Sequence, residues 1–222
     1  MSAPSPSPER PAAGGTLAII GAGGHASVVA DAAKCSGRWE RLVFYDDEPG
    51  ASHPRGPWTI AGTIGDLLRT ASRDIDVIVA IGENRRRHEL LHEVSGAGFR
   101  LANVVHPDAS VSCYATLGQG SVVFARAAIN IAAAIGRGCI VNTGATVDHD
   151  CCLGEAVHVS PGANLAGNVI VGDGSWIGIG SCIREGIVVG RHAIVGAGAV
   201  VIRPVPDHAV VVGNPAHPII LR

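Results

Sequence analysis

Along the C-terminal half of the chain the aliphatic residues recur at every sixth position. The series is Val105, Val111, Leu117, Val123, Ile129, Ile135, Val141, Val147, Leu153, Val159, Leu165, Val171, Ile177, Ile183, Val189, Val195 and Val201, seventeen positions without a break. Neither a helical period nor a strand period produces this spacing. It is the period of a parallel β-helix, in which short strands wind around an apolar column. Four residues after each aliphatic position stands only Ala, Ser, Cys, Val or Ile, as at Ala109, Ser121, Ala127, Cys139, Cys151, Ala163, Ser175 and Ala199. One large inward side chain thus alternates with one small or β-branched one, as close packing of a narrow prism requires.

Residues 16–100 follow another rhythm. Thr16–Ile20 reads as a short buried strand, followed by Gly21-Ala22-Gly23-Gly24-His25 and a helical stretch, Ala26–Cys35. A second strand, Leu42–Tyr45, ends in Asp46-Asp47; a third, Asp76–Ile81, runs into Gly82-Glu83-Asn84, and Arg85–Ser95 is helical in pattern. Strands alternating with helices across glycine turns predict a small parallel α/β unit. The expected organisation is a disordered Pro/Ser/Ala-rich leader (1–15), an α/β domain (16–100) and a β-helix (101–222). The Pro-rich tail ending Gly213-Asn214-Pro215-Ala216 is expected to close the prism.

Composition narrows the class. The 222 residues are 47% hydrophobic but 4% aromatic, with 30 glycines, so the core is aliphatic and the turns tight. A formal charge of −2 gives no reason to expect nucleic acid or an anionic membrane as partner. The six cysteines form no CxxC pair, and Cys139 and Cys151 fall on small inward positions, where a thiol serves as a small hydrophobe. A reduced, cytoplasmic protein is expected, and no apolar run is long enough to span a bilayer.

Two motifs carry chemistry. Gly21-x-Gly23-x-x-Ala26, between a strand and a helix and with Asp46 some way on, fits the loose dinucleotide fingerprint. Glycines let the backbone approach a phosphate, and the helix N-terminus favours its charge. A domain of this size suits a mononucleotide or nucleotide sugar better than NAD. The rival reading is a glycine turn that only fits helix to strand; His25 is unusual for that. The second motif is the polar run Asn142–Cys152. Val147 and Cys151 point inward by register, which leaves Asp148, His149 and Asp150 outside. A histidine flanked by carboxylates has a fixed tautomer and raised basicity, as a general base near neutral pH needs; a solvated polar turn is the alternative. His158 lies nine residues from His149, so the two do not stack in an eighteen-residue coil. If they act together, a neighbouring subunit brings them close; a purely structural His158 is the alternative.

The hexads, the GAGGH loop, the YDD strand end, VAIGEN, NTGATVDHDC, HVSPGANLAGNV and the closing GNPA together resemble the bacterial sugar O- and N-acyltransferases of the sialic-acid O-acetyltransferase type. The likeness is closest to the acetyl-CoA-dependent N-acetyltransferases of nucleotide-linked 4-amino sugars, and it covers Thr16 to Ala216. The resemblance implies an α/β Rossmann-like domain followed by a left-handed β-helix, assembled as a homotrimer. It makes His149 the catalytic base and Asp150 its orienting carboxylate. It sets His158 and Gly167 at the acetyl-CoA thioester, and Asn142 and Asp148 beside the sugar. Gly21, Gly23, Gly24, His25, Asp46, Asp47 and Gly82 would hold the nucleotide sugar. Gly23 stands where some relatives have Ser, and Glu83 where relatives often have Asn.

The implied reaction is direct acetyl transfer from acetyl-CoA, as co-substrate, to the amine of a nucleotide-linked 4-amino-4,6-dideoxy sugar, with UDP the expected nucleotide. O-acetylation of sialic acid or a related hydroxyl is the runner-up. A metalloenzyme like the gamma-class carbonic anhydrases is a third reading, but their His-x4-His element is missing from the hexads, where the fifth residue after His149 is Gly154. No metal is therefore expected.

Overall fold

The computed structural model describes residues 15–48, 54, 56–70 and 74–219. The expected leader lies outside the described residues apart from Gly15, which opens the first strand.

The N-terminal domain comprises β1 (Gly15–Ile20), α1 (Gly24–Ser36), β2 (Trp39–Tyr45), β3 (Ile60–Gly62), α2 (Ile64–Arg69), β4 (Asp76–Val79), α3 (Asn84–Gly96) and β5 (Arg100–Leu101). Its sheet is parallel in the order β3-β2-β1-β4-β5. Leu17, Ala18, Ile19 and Ile20 are fully buried, as a central strand covered on both faces must be. β3 and α2 escape the sequence pattern: the strand is three residues long, and α2 is fixed by a capping box between Thr63 and Asp66.

The C-terminal domain is a three-sided prism. Each coil has eighteen residues, seen in the parallel pairing of Ile140 with His158 and of His158 with Trp176. The first face runs from Val104–Val105 to Ile194–Val195 and is extended by Val210–Val212 and the antiparallel His217–Ile219. The second face holds Thr146–Val147 and Asn164–Leu165, and the third Cys152–Leu153 and Ile170–Val171. The aliphatic hexads and their small partners form one buried column from Val123 to Val211. A fully buried aliphatic side chain contributes about 1.5–3 kcal/mol, so the repeat itself supplies the driving force. Cys139 and Cys151 are buried in this column and donate to the carbonyls of Gly154 and Ala166. Burial pushes the Cys139 thiol up to about 12, so it is inert as a nucleophile.

The chain passes from sheet to prism between Leu101, paired in β5, and Val104, whose N–H donates to Ser121 O at 3.0 Å. The outward residues Val104, Val122 and Ile140 of the first face are buried in the same cluster as Ala22, Ala26, Val29 and Ala30 around α1. The N-terminal domain therefore sits on the first face. Arg87 of α3 locks it there. All five guanidinium N–H groups are used: Nε donates to Gly138 O, Nη1 to Ile81 O and Gly82 O, and Nη2 to Asn84 Oδ1 and Ala156 O, at 2.7 to 3.0 Å. Asn84 Nδ2 in turn donates to Gly174 O and Ser175 O. Burial holds the Arg87 pKa down at about 10, still a cation at neutral pH.

Candidate active site

The glycine loop lies at the carboxyl edge of the sheet, where β1 stands between β2 and β4. The loops after β1 and β4 adjoin there, and the carboxyl ends of the strands at such a point are where open α/β sheets bind ligands. Gly21 has φ +103°, and a Cβ on it would meet Ala80 O at 3.0 Å, so only glycine fits this close approach. Gly23, Gly24 and Gly82 are different: a Cβ on any of them meets nothing within 4 Å. Packing of the chain on itself does not require them. Gly23 is the N-cap of α1 with no side-chain cap, and no acidic residue stands in the first turn. The first amide groups of the helix thus have no side-chain cap, an arrangement suited to an anion.

Asp46 braces this loop, and Asp47 the start of α2. Asp46 Oδ2 accepts from Ala22 N–H at 2.7 Å and Oδ1 from Glu48 N–H at 2.8 Å. Asp47 Oδ1 accepts from the Ile64 N–H at 3.0 Å. Glu83 caps α3 through the N–H groups of Arg85 and Arg86. Burial opposes its charge, but these bonds outweigh burial and lower its pKa.

His25 opens α1 directly over the prism. Its ring packs edge-on against Phe124, with centroids 5.6 Å apart, and stands 6.4 Å from the ring of His158. His158 lies in turn against Trp176, tilted by 35° with centroids 4.6 Å apart. Asn142 Oδ1 accepts from Thr143 N–H at 2.8 Å, which turns its Nδ2 toward His158 Nε2 at 3.2 Å. Nε2 of His158 is thus an acceptor, and its neutral ring carries the proton on Nδ1. That Nδ1 and His25 Nε2 are buried without a hydrogen-bond partner among the described residues. Burial first, then the nearby Arg87 charge, pushes His25 down to about 4 and His158 down to about 3. Both rings are neutral at physiological pH.

A second cluster occupies the corner between the second and third faces. His149 is half exposed, and its Nδ1 lies 2.7 Å from Asp150 Oδ2. The contact comes from local geometry: Asp150 takes the left-handed corner conformation, φ 59°, which Asp and Asn tolerate better than most residues. With Nδ1–H donated to the carboxylate, Nε2 presents its lone pair outward. Asp148 Oδ1 accepts from His149 N–H at 2.7 Å and from Asn130 Nδ2 at 2.6 Å. The hydrogen bond to Asp150 raises the His149 pKa above its ordinary value, helped by both carboxylate charges. The Asn130 bond holds Asp148 low. Gly167, one coil on, forms the floor beneath the imidazole. Its N–H makes no hydrogen bond within the chain among the described residues.

The expected site residues therefore fall into two groups: His25, His158 and Asn142 with the glycine loop, and His149, Asp150 and Asp148 with Gly167. Within one chain the groups occupy different parts of the prism. Sequence reasoning overlooked Asn130, Phe124, Trp176 and Arg87. Asn130 and Trp176 each lie eighteen residues from a residue already singled out, Asp148 and His158, so the coil length was the signal.

Comparison with known proteins agrees with this architecture. The family described as PglD N-terminal domain matches residues 16–94, and bacterial transferase hexapeptide (six repeats) matches residues 168–203. The acetyltransferase domain of PglB from Neisseria gonorrhoeae is 44% identical with a TM-score of 0.89, covering 92% of this chain and 99% of that one. The same domain in complex with acetyl coenzyme A is 45% identical with a TM-score of 0.88, covering 92% and 98%. A variant of perosamine N-acetyltransferase from Caulobacter crescentus, in complex with CoA and GDP-perosamine, is 38% identical with a TM-score of 0.88, covering 93% and 98%. The prism is accordingly a left-handed β-helix. Among the described residues no helix is long and apolar enough to cross a membrane. The chain belongs to the nucleotide-linked 4-amino-sugar N-acetyltransferases of the hexapeptide-repeat superfamily, enzymes that draw their acetyl group from acetyl-CoA.

Proposed function

We propose that this chain acetylates the amine of a nucleotide-linked 4-amino-4,6-dideoxy sugar, UDP-linked, by direct transfer from acetyl-CoA with His149 as general base. The observation that carries the reading is the His149–Asp150 pair: Nδ1–H is anchored on the carboxylate at 2.7 Å, leaving Nε2 free to take a proton. As the amine attacks the thioester carbonyl, Nε2 accepts its proton and Asp150 steadies the imidazolium that forms; the tetrahedral intermediate then collapses with cleavage of the C–S bond, and the imidazolium gives the proton to the departing CoA thiolate. The free N–H of Gly167 is the donor this reading assigns to the developing oxyanion. General base catalysis typically supplies about 10²–10⁴-fold, and holding two bound reactants together supplies the remainder. Cys151 takes no part: it is buried and bonded to a carbonyl.

The uncapped start of α1 receives the diphosphate, with Gly23, Gly24 and Gly82 leaving room for it. The unpartnered His158 Nδ1–H and His25 Nε2 are the polar atoms this cluster leaves for the sugar or the thioester end of acetyl-CoA. A homotrimer would bring the His149 corner of one subunit to the His25–His158 cluster of the next. The third face favours this assembly, since Ile170 and Val188 expose an apolar strip there.

A GDP-linked acceptor is the second reading, because the perosamine N-acetyltransferase similar to this chain was solved with GDP-perosamine. Thiol release from acetyl-CoA decides between them. Release with the UDP-linked amine at high kcat/KM supports the first reading. Release only with a GDP-linked amine replaces the nucleotide, and release only with free sialic acid replaces the amine by a hydroxyl acceptor.

A further inference from the structure

Outside both clusters, three electron-pair donors converge on one point at the seam between the domains. His88 and His92 stand four residues apart on α3, so their rings share a helix face. Glu155 reaches them from the corner between the third and first faces. His88 Nε2 lies 3.1 Å from Glu155 Oε2 and 3.3 Å from His92 Nε2, and the last two atoms are 4.0 Å apart.

A proton serves this arrangement poorly. If His88 Nε2 carries hydrogen, that hydrogen cannot satisfy both Glu155 and His92. If it is bare, its lone pair faces a carboxylate oxygen. A divalent cation accepts a pair from each of the three. Zinc bonds of about 2.0–2.1 Å in a tetrahedron set ligand atoms about 3.3–3.4 Å apart; two of the three spacings lie near that value, and the third, 4.0 Å, closes by a small movement of the exposed His92 side chain. The side chains are 37% to 58% exposed, so water has access to a fourth position.

We propose that His88, His92 and Glu155 bind a Zn²⁺ ion that fastens α3 to the prism. Two imidazoles and a carboxylate form a donor set suited to that ion. Glu155 is held ready for it: its N–H donates to Asp173 Oδ1 at 2.9 Å, and its carbonyl accepts from Gly174 N–H at 2.8 Å. The ion sits on the seam that Arg87 closes, for Arg87 precedes His88 and bonds the carbonyl of Ala156, which follows Glu155. The site lies at a different corner from His149, so its role is to fix the docking of the domains and not to act on the acetyl group.

The test uses the full chain, stripped with EDTA and titrated with Zn²⁺ by calorimetry, with melting followed in parallel. One ion per chain is expected, with a Tm rise of about 5–10 °C at a free zinc concentration one hundred times Kd. His92→Ala and Glu155→Gln, both outside the acetyl-transfer machinery, should each weaken binding more than about 100-fold, beyond the loss of an outer partner. His192→Ala, which alters a separate histidine pair, the ring of His192 stacked on His208, should leave binding unchanged. No binding, binding that survives both ligand substitutions, or binding lost in His192→Ala overturns the proposal.

Discussion

Gly167 lies directly beneath the ring of His149: a Cβ at 167 would come within 2.5 Å of both Cε1 and Nε2. The glycine is required by the imidazole and not by the coil. Gly167→Ala should displace the ring and lower kcat by about 10- to 100-fold, part of what a general base supplies. Melting should stay within a few degrees of the parent. Steady-state kinetics beside a thermal melt reads both, and a variant of undiminished kcat would show that His149 need not hold this position.

The pH profile should report the Asp150 contact. The hydrogen bond to Asp150 raises the His149 pKa above 6.5, and the base works only when unprotonated. The acidic limb of kcat/KM should therefore have its midpoint above 6.5 and rise with pH. Asp150→Asn keeps a residue tolerant of the left-handed conformation but removes the charge. Its limb should move toward lower pH while the plateau falls, whereas a limb that does not move would dissociate His149 from the profile.

Acid should loosen the domain seam. His25 and His158 stay neutral in the folded chain down to about 4 and about 3, against 6.5 when unfolded. Between those values the unfolded chain binds more protons, so stability rises with pH and is lost as pH falls from 6.5. The loss from pH 6 to pH 5 is about 2 kcal/mol for the two rings, or about 4–8 °C in Tm. His158→Gln should remove roughly half of that dependence. Melts across this range check it, and an unchanged slope in the variant would contradict it.

Arg87→Met should be strongly destabilising. It strands the carbonyls of Gly138, Ile81, Gly82 and Ala156 and removes the clamp between domains. A loss of about 3–5 kcal/mol is expected, as when a buried charged network is broken, and Arg87→Lys should rescue little because an ammonium lacks the planar fork. Urea unfolding measures both variants; a loss under about 1 kcal/mol would show that the clamp is incidental.

Much of this molecule is legible in its sequence because a hexad leaves few alternatives. Each position from Val105 to Val201 fixes its neighbours' register, and the order of the two domains follows from where the hexads begin. The adjacency of Asp148, His149 and Asp150 carries the corner cluster, since a turn cannot separate consecutive residues. β3 and α2 were missed because Ile60–Gly62 is too short for a period, although Thr63-Ile64-Gly65-Asp66 bears a capping signature.

What periodicity could not show is the outer surface of the coils. Val104, Val122, Ile140, His158 and Trp176 form one outward ladder at eighteen-residue steps, and that ladder receives α1. The same is true of the seam. His88 and His92 are four residues apart, a spacing visible on any helix, but they lie on α3, outside the hexads. Their third partner, Glu155, is brought near only by the docking that Arg87 enforces.

The decisive measurement is the kcat of His149→Ala with acetyl-CoA and the nucleotide-linked amine, together with the Kd of acetyl-CoA for that variant. A fall in kcat of about 10²–10⁴-fold with Kd nearly unchanged would identify His149 as the base of acetyl transfer. A kcat within about threefold of the parent would contradict that role and move the proton transfer to another group.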